Sequence, residues 1–252
     1  MLEHATTLDY KATGKWRPRD QQSGIEFTGI LNHRFQYSAG VVNGEKKTIS
    51  DATDEKDAYG RVAFKIGGLG LDGYQPQELT ELKQSDNWAD NAVTIGAYSY
   101  LGNNASETDG IDNDFTRFGF DLHINYDRFD MYSGAIVGKD KNPSGLPDAS
   151  TDDEKELNSL AWFVEGYYTV YPWLMPGLRV GSVASDQNDD DLDKYMTFSP
   201  NLTMMARANV RVTLEALLKV TGDKTVGGVT VEPTGADDEK LKWIKANIMF
   251  VF

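Results

Sequence analysis

The sequence predicts an all-β fold: a single domain over residues 1–252, an antiparallel up-and-down barrel that crosses a membrane with strands. Three observations predict it. Apolar residues recur at every second position in about twelve segments, tight turns alternate with long acidic connections, and the chain closes on an alternating run that ends in Phe252. A period of two sends successive side chains to opposite faces of a strand, so each segment carries one apolar and one wet face. An apolar face on the last strand of an open sheet is a liability, whereas a closed barrel has no edge and turns that face to lipid.

The segments follow in order. Residues 5–11 alternate most weakly. Residues 24–31 turn at Asn32-His33 into 34–42, where Phe35, Tyr37, Ala39 and Val41 oppose Arg34, Gln36 and Ser38. Residues 58–66 and 91–101 come next. In 115–126, Phe118, Phe120, Leu122, Ile124 and Tyr126 oppose Arg117, Asp121, His123 and Asn125, and Asp127-Arg128 leads into 129–137. Residues 158–170 and 174–184 meet at Tyr171-Pro172-Trp173. Residues 194–206 pass through Arg207-Ala208-Asn209 to 210–220, where Val210, Val212, Leu214, Ala216 and Leu218 oppose Arg211, Thr213, Glu215 and Lys219. The last segment, 240–252, puts Ile244, Ala246, Ile248, Phe250 and Phe252 on one face. No helical period fits these runs, and their lengths suit the ~9–11 residues that a tilted strand needs to cross a bilayer.

The connections 43–57, 102–114, 138–157, 185–193 and 221–239 are long and rich in Asp, Glu, Asn, Gly and Ser, as expected when one rim carries loops and the other carries turns. Residues 67–90 break this parity. There the strand either continues through Leu71, or the segment forms a small plug or docking element with a helical turn over Gln77–Lys83 after Pro76. Trp88, Tyr98, Tyr100, Phe115, Tyr126, Phe129, Trp162, Tyr168, Tyr171, Trp173, Tyr195 and Trp243 fall at or near strand ends, where amphipathic rings form girdles in a membrane barrel and core in a soluble sheet.

The stretch Arg17-Pro18-Arg19-Asp20-Gln21-Gln22-Ser23-Gly24-Ile25-Glu26-Phe27-Thr28-Gly29, followed by Arg34-Phe35-Gln36-Tyr37-Ser38-Ala39-Gly40-Val41-Val42-Asn43-Gly44, resembles a hairpin of the phosphate-selective porin O/P-like superfamily. Asp57-Ala58-Tyr59-Gly60-Arg61-Val62-Ala63-Phe64-Lys65 is similar to the strand that follows it there. The resemblance implies a bacterial outer-membrane porin that packs as a homotrimer, with Gly60, Ala216 and Ala246 as candidate small outward residues. It also implies about sixteen strands. The chain then either lacks about four N-terminal strands or is a smaller barrel of twelve; the start, Met1-Leu2-Glu3-His4-Ala5-Thr6-Thr7-Leu8, does not read as a secretory signal.

With the apolar alternate facing lipid, the other alternate faces the lumen. It carries Arg34, Arg61, Lys65, Arg117, Arg179, Arg211, Lys219, Lys242 and Lys245 against Glu26, Asp121, Asp130, Glu165 and Glu215. The chain as a whole has a net charge of −14, so the acidity is expected in the loops. A lumen lined by one sign of charge focuses its field on permeating ions. The expected function is passive diffusion of small hydrophilic solutes or ions through a channel that mildly favours anions beneath an acidic vestibule. Alternatively these bases pair with the lumen acids and stiffen the wall without selecting anything.

Other functions fare less well. The acidity argues against a nucleic-acid partner. The loops Asp109–Asp114 and Asp186–Asp193 offer hard oxygen ligands for calcium, with Asp112, Asp114, Asp189 and Asp191 as candidates, but neither matches an EF-hand loop, and solvated surface or bridging to lipopolysaccharide accounts for them too. With no Cys and only His4, His33 and His123, zinc motifs are missing, as are a nucleophile elbow and a phosphate-cradling loop, so neither catalysis nor a cofactor is expected. The remaining alternative is a structural sheath or receptor barrel that holds another envelope protein, such as a multihaem cytochrome.

Overall fold

The computed structural model describes residues 23–43, 56–74, 91–104, 113–141, 156–185, 195–207, 210–221, 224–226, 229–231 and 239–250. They form thirteen strands: β1 (Gly24–Leu31), β2 (Phe35–Val42), β3 (Asp57–Gly67), β4 (Ala92–Asn104), β5 (Asn113–Tyr126), β6 (Phe129–Lys141), β7 (Glu156–Tyr168), β8 (Leu174–Ser185), β9 (Tyr195–Arg207), β10 (Val210–Thr221), β11 (Lys224–Val226), β12 (Val229–Val231) and β13 (Glu239–Phe250). One sheet of eleven strands runs β1 to β10 and then β13, each antiparallel to the next. This is the expected up-and-down meander. Eleven of the twelve expected segments have a counterpart in it; the twelfth, residues 5–11, lies outside the described residues.

The turns explain the hairpins. Asn32 and His33 both take positive φ (49° and 61°), as the two central residues of a type I′ turn must, and the Arg34 N–H closes it on the Leu31 carbonyl at 3.1 Å. The backbone twist of such a turn matches that of the strands, so β1 and β2 stay in register from Gly24 opposite Val42 to Leu31 opposite Phe35. The loop-side connections deviate from the expected boundaries. β4 continues to Asn104 and β6 to Lys141, because the ladder persists through polar residues that still alternate between faces. Inside the long 221–239 connection, β11 and β12 form a separate hairpin that alternation had not marked. β3 stops at Gly67, not Leu71: Gly67, Gly68 and Gly73 have positive φ (77°, 53° and 82°), which bends the chain into a turn at 68–74. The helical turn expected over Gln77–Lys83 lies outside the described residues.

Register defines an apolar band. Across β5, β6 and β7, Phe118, Val137 and Leu160 are aligned at one level and Tyr126, Phe129 and Tyr168 at another. All six point to the same exposed face, eight residues apart along each strand. At about 3.3 Å per residue and a tilt of about 40°, that is roughly 20 Å, comparable with the ~25 Å apolar band of a membrane barrel. One step toward the loops, the outward row turns polar, with Thr116, Lys139 and Asn158. At the other boundary Tyr126, Phe129 and Tyr168 adjoin Tyr171 and Trp173, whose rings stack at 5.6 Å, so an aromatic girdle marks the turn rim. Three rings expected in a girdle do something else: Tyr98, Tyr100 and Phe115 lie on the opposite, inner face, where odd-numbered and even-numbered positions of neighbouring strands meet in register.

Candidate functional site

The inner face collects the ionisable side chains. Arg61 on β3 reaches across β4 and donates from Nη2 to both Asp121 carboxylate oxygens on β5, at 3.1 and 3.2 Å. The strand it crosses presents Gly96 at that point, and any Cβ there would collide with the Asp121 carboxylate. The same guanidinium also donates to Gln36 Oε1 at 3.4 Å. A short, missing side chain is therefore what lets two charges two strands apart meet.

A second pair is closer to the loops. Arg117 Nη2 donates to Asp140 Oδ1 at 2.8 Å, and Nη1 donates to the Thr116 and Lys139 carbonyls at 2.9 and 3.2 Å. The guanidinium also sits 5.0 Å over the Phe115 ring. Arg117 and Asp140 are wholly buried, beside an apolar cluster of Phe115, Ile136, Ala161 and Val183 that packs against Tyr98 and Tyr100. Tyr59, Tyr100 and Phe115 stack strand to strand, with ring centres 6.4 and 5.8 Å apart. The Tyr59 hydroxyl donates to Glu26 at 2.6 Å; buried Asp57 accepts from the Tyr100 hydroxyl at 2.5 Å and from the Asn103 N–H at 3.0 Å. Asp57 thus accepts through both carboxylate oxygens, as a buried acid requires.

Glu165 faces Arg179 in register and accepts from the Tyr167 hydroxyl, and the Arg179 guanidinium lies 4.7 Å over the Phe163 ring. Glu215 lies between Asn201 and Lys245 in register, and Arg211 Nη2 meets Met249 Sδ at 3.5 Å. Lys65 follows Arg61 and Ala63 on the inner alternate of β3. His123 stacks on Tyr132 at 4.1 Å and hydrogen-bonds Asp130 at 2.6 Å.

Arg34 is elsewhere. It sits at the turn rim and donates to the carbonyls of Gly67, Gly68 and Leu69, holding the bend after β3 against the β1–β2 turn. The Leu71 N–H completes this contact on the His33 carbonyl at 2.8 Å. His33 repeats the His123 arrangement, stacking on Tyr74 at 3.9 Å and bonding Asp72 at 2.7 Å. The bond from His33, aided by the Tyr74 N–H, holds the Asp72 carboxyl below its usual range.

Two inner acids escaped the sequence reading. Asp57 and Asp140 were assigned to the acidic loops, yet both are fully buried on the inner face. Parity was the available signal: Asp140 shares its alternate with Asp130, Tyr132 and Ile136, and Asp57 shares its alternate with Tyr59 and Arg61. Counting them, the described inner face carries Arg61, Lys65, Arg117, Arg179, Arg211 and Lys245 against Glu26, Asp57, Asp121, Asp130, Asp140, Glu165 and Glu215. The side chains of Lys219 and Lys242 lie outside the described residues. Among the calcium candidates, Asp114 accepts from Asn103 Nδ2 at 2.9 Å, while Asp112, Asp189 and Asp191 lie outside the described residues. Among the described residues no group of three or more His, Cys, Asp or Glu is placed to hold a metal ion.

No protein-family model matches this chain, and no curated protein does. Solved structures do. The outer membrane channel DcaP of Acinetobacter baumannii superimposes with a TM-score of 0.62 at 12% identity, over 92% of this chain and 63% of that one. The anion-selective porin from Comamonas acidovorans does so with a TM-score of 0.57 at 12% identity, over 90% and 55%. The chain thus spans between about half and two-thirds of the length of these channels, and what it shares with them is the antiparallel up-and-down meander.

Proposed function

We propose that the chain forms the wall of a bacterial outer-membrane porin, a water-filled channel through which small hydrophilic solutes and ions diffuse passively. One observation carries the reading: the sheet has a roughly 20 Å apolar band on one face and a dense network of charged side chains on the other. The first face suits lipid and lipopolysaccharide; the second suits water and ions. The fold shared with two outer-membrane channels supports it.

Finer parts of the reading are proposals of the same kind. Arg61, Lys65, Asp121, Glu165, Arg179, Arg211, Glu215 and Lys245 line the pore, Arg117, expected among them, is buried against Asp140 and stiffens the wall behind them, and Arg34 guards the turn-rim mouth. A mild anion preference rests on Arg211, because Asp121 and Asp140 offset the charges of Arg61 and Arg117 and Glu215 faces Lys245 in register. Membership of the phosphate-selective porin O/P-like superfamily and a homotrimer, packed through outward small residues such as Ala216 and Ala246, complete it.

Planar-bilayer recording tests the proposal. Stable single-channel steps with a small anion-directed reversal potential under a salt gradient are expected. A silent bilayer sinks the channel and favours a sheath or receptor barrel; open steps with clear cation preference sink only the anion preference.

A further inference from the structure

Among the described residues, the inner-face tyrosines lie along the wall instead of standing up from it. Tyr98 on β4 faces Gly119 on β5 in register, and the tip of its ring occupies the volume that a Cβ on Gly119 would fill. The ring reaches past β5 to the apolar cluster that holds Ile136, the partner of Gly119 on β6. Tyr59 crosses Gly40 of β2 in the same way, and its hydroxyl meets Glu26, the partner of Gly40 on β1. Tyr167 lies on Gly177 of β8. Tyr100 and Tyr132 lean on other rings, the first between Tyr59 and Phe115 and the second on His123. Gly40, Gly119 and Gly177 do not have positive φ, so what the wall uses in them is the missing side chain.

We propose that Gly40, Gly119 and Gly177 set the bore of the channel, and that Gly119 with Tyr98 is its gauge at the level of the Arg61–Asp121 pair. This rests on the channel reading above. The sheet cannot absorb a methyl added at Gly119, because β5 keeps an unbroken register with β4 and with β6 along its length. The ring must move instead, and side chains move between staggered rotamers. Sideways its space is taken: Arg61 is its register partner on β3, Tyr100 follows it on β4, and the Asp121 carboxylate fills the place beside Gly96. What remains among the described residues is the direction away from the wall, toward the barrel axis. A phenol ring displaced that way stands beside the Arg61–Asp121 pair, narrows the path there and obstructs large solutes more than small ones.

Single-channel conductance, together with liposome swelling in arabinose and in raffinose, tests the gauge in the full-length protein. G119A is expected to lower conductance about twofold and to slow raffinose more than arabinose. Removing the ring as well, in Y98L/G119A, should restore both. G166A is the control: Gly166 lies on the outward alternate of β7, where an added Cβ meets Phe129 at an ordinary 3.5 Å, so conductance should stay at the wild-type value. Ring placement is read without any current. In micelle NMR the Gly119 α-protons are expected upfield beneath the Tyr98 ring and at ordinary positions in Y98L. If G119A does not fold, recovery of folding in Y98L/G119A supports the collision, and G40A and G177A carry the conductance test. Wild-type conductance in folded G119A, an equal fall in G166A, no recovery in Y98L/G119A, or a Gly119 shift indifferent to Y98L would each overturn the proposal. A silent wild type faults the channel reading itself, and the Gly119 shift then still decides where the ring lies.

Discussion

Two arginine–aspartate pairs on the inner face place the same chemistry in different surroundings. The Arg117 and Asp140 side chains are 0% exposed, whereas those of Arg61 and Asp121 are 15% and 12% exposed. The first pair is packed beside Phe115, Ile136 and Ala161; the second lies over Gly96 in reach of water. A buried pair that loses one partner leaves a charge that cannot rehydrate, while a pair near water can be screened. The difference teaches that the wall uses one arginine as a fastener between β5 and β6 and leaves the other within reach of water, on the face proposed to line the pore. His33 and Asp72, 45% and 39% exposed at the turn rim, extend the series to the wettest end.

The strongest way to break the comparison is to remove the buried carboxylate. Asp140→Ala is expected to cost about 3–5 kcal/mol of stability, measured by chemical unfolding in micelles, because Arg117 keeps its burial and loses its counter-charge. The double variant R117M/D140L should recover most of that loss. If D140A costs no more than D121A, the two pairs are alike and the distinction fails.

A smaller effect is expected at the crossing glycine. Gly96→Ala places a methyl against the Asp121 carboxylate and should cost about 1–3 kcal/mol through overpacking. It should also move ion preference in the same direction as loss of Asp121, which ties the glycine to the Arg61 contact.

Asp121→Asn sharpens the comparison from the functional side. It should change stability by about 1 kcal/mol or less, yet shift the bilayer reversal potential toward anions, because it removes a negative charge near the water. A shift from R117M/D140L as large as that from D121N would place both pairs on the ion path.

The smallest effect belongs to the rim. Asp72 has a lowered carboxyl pKa in the folded chain, so its contribution is present above the unfolded value and is lost as pH falls through the lowered one. Acidification below the ordinary carboxylate range should therefore loosen the 68–74 turn, read as lower protection of the Leu71 and Gly73 amides relative to their intrinsic exchange rate at each pH. In D72N that pH dependence should disappear while the exchange of β5 and β6 amides is unchanged.

Much of this molecule is legible in alternation. Phe118 to Tyr126 and Val210 to Leu218 read as strands from spacing alone, and their outward faces are where parity puts them. Asp57 and Asp140 were misread because clusters of acids around them look like solvated loops, and nothing local tells a loop aspartate from the last inward residue of a strand. Tyr98, Tyr100 and Phe115 were misread for the opposite reason: position near a strand end suggested a girdle, while the face they occupy depends on register with β3 and β6.

By itself the sequence determined the fold class and the apolar outward set, because a two-residue period and turn length are properties of adjacent residues. Only the tertiary structure decided which charges meet. Arg61 and Asp121 are sixty positions apart and touch because Gly96 leaves room between them; Arg117 and Asp140 meet because β6 runs on to Lys141. Such contacts depend on the stagger of neighbouring strands and on the volume of the residue between them, and neither quantity is written in any single segment.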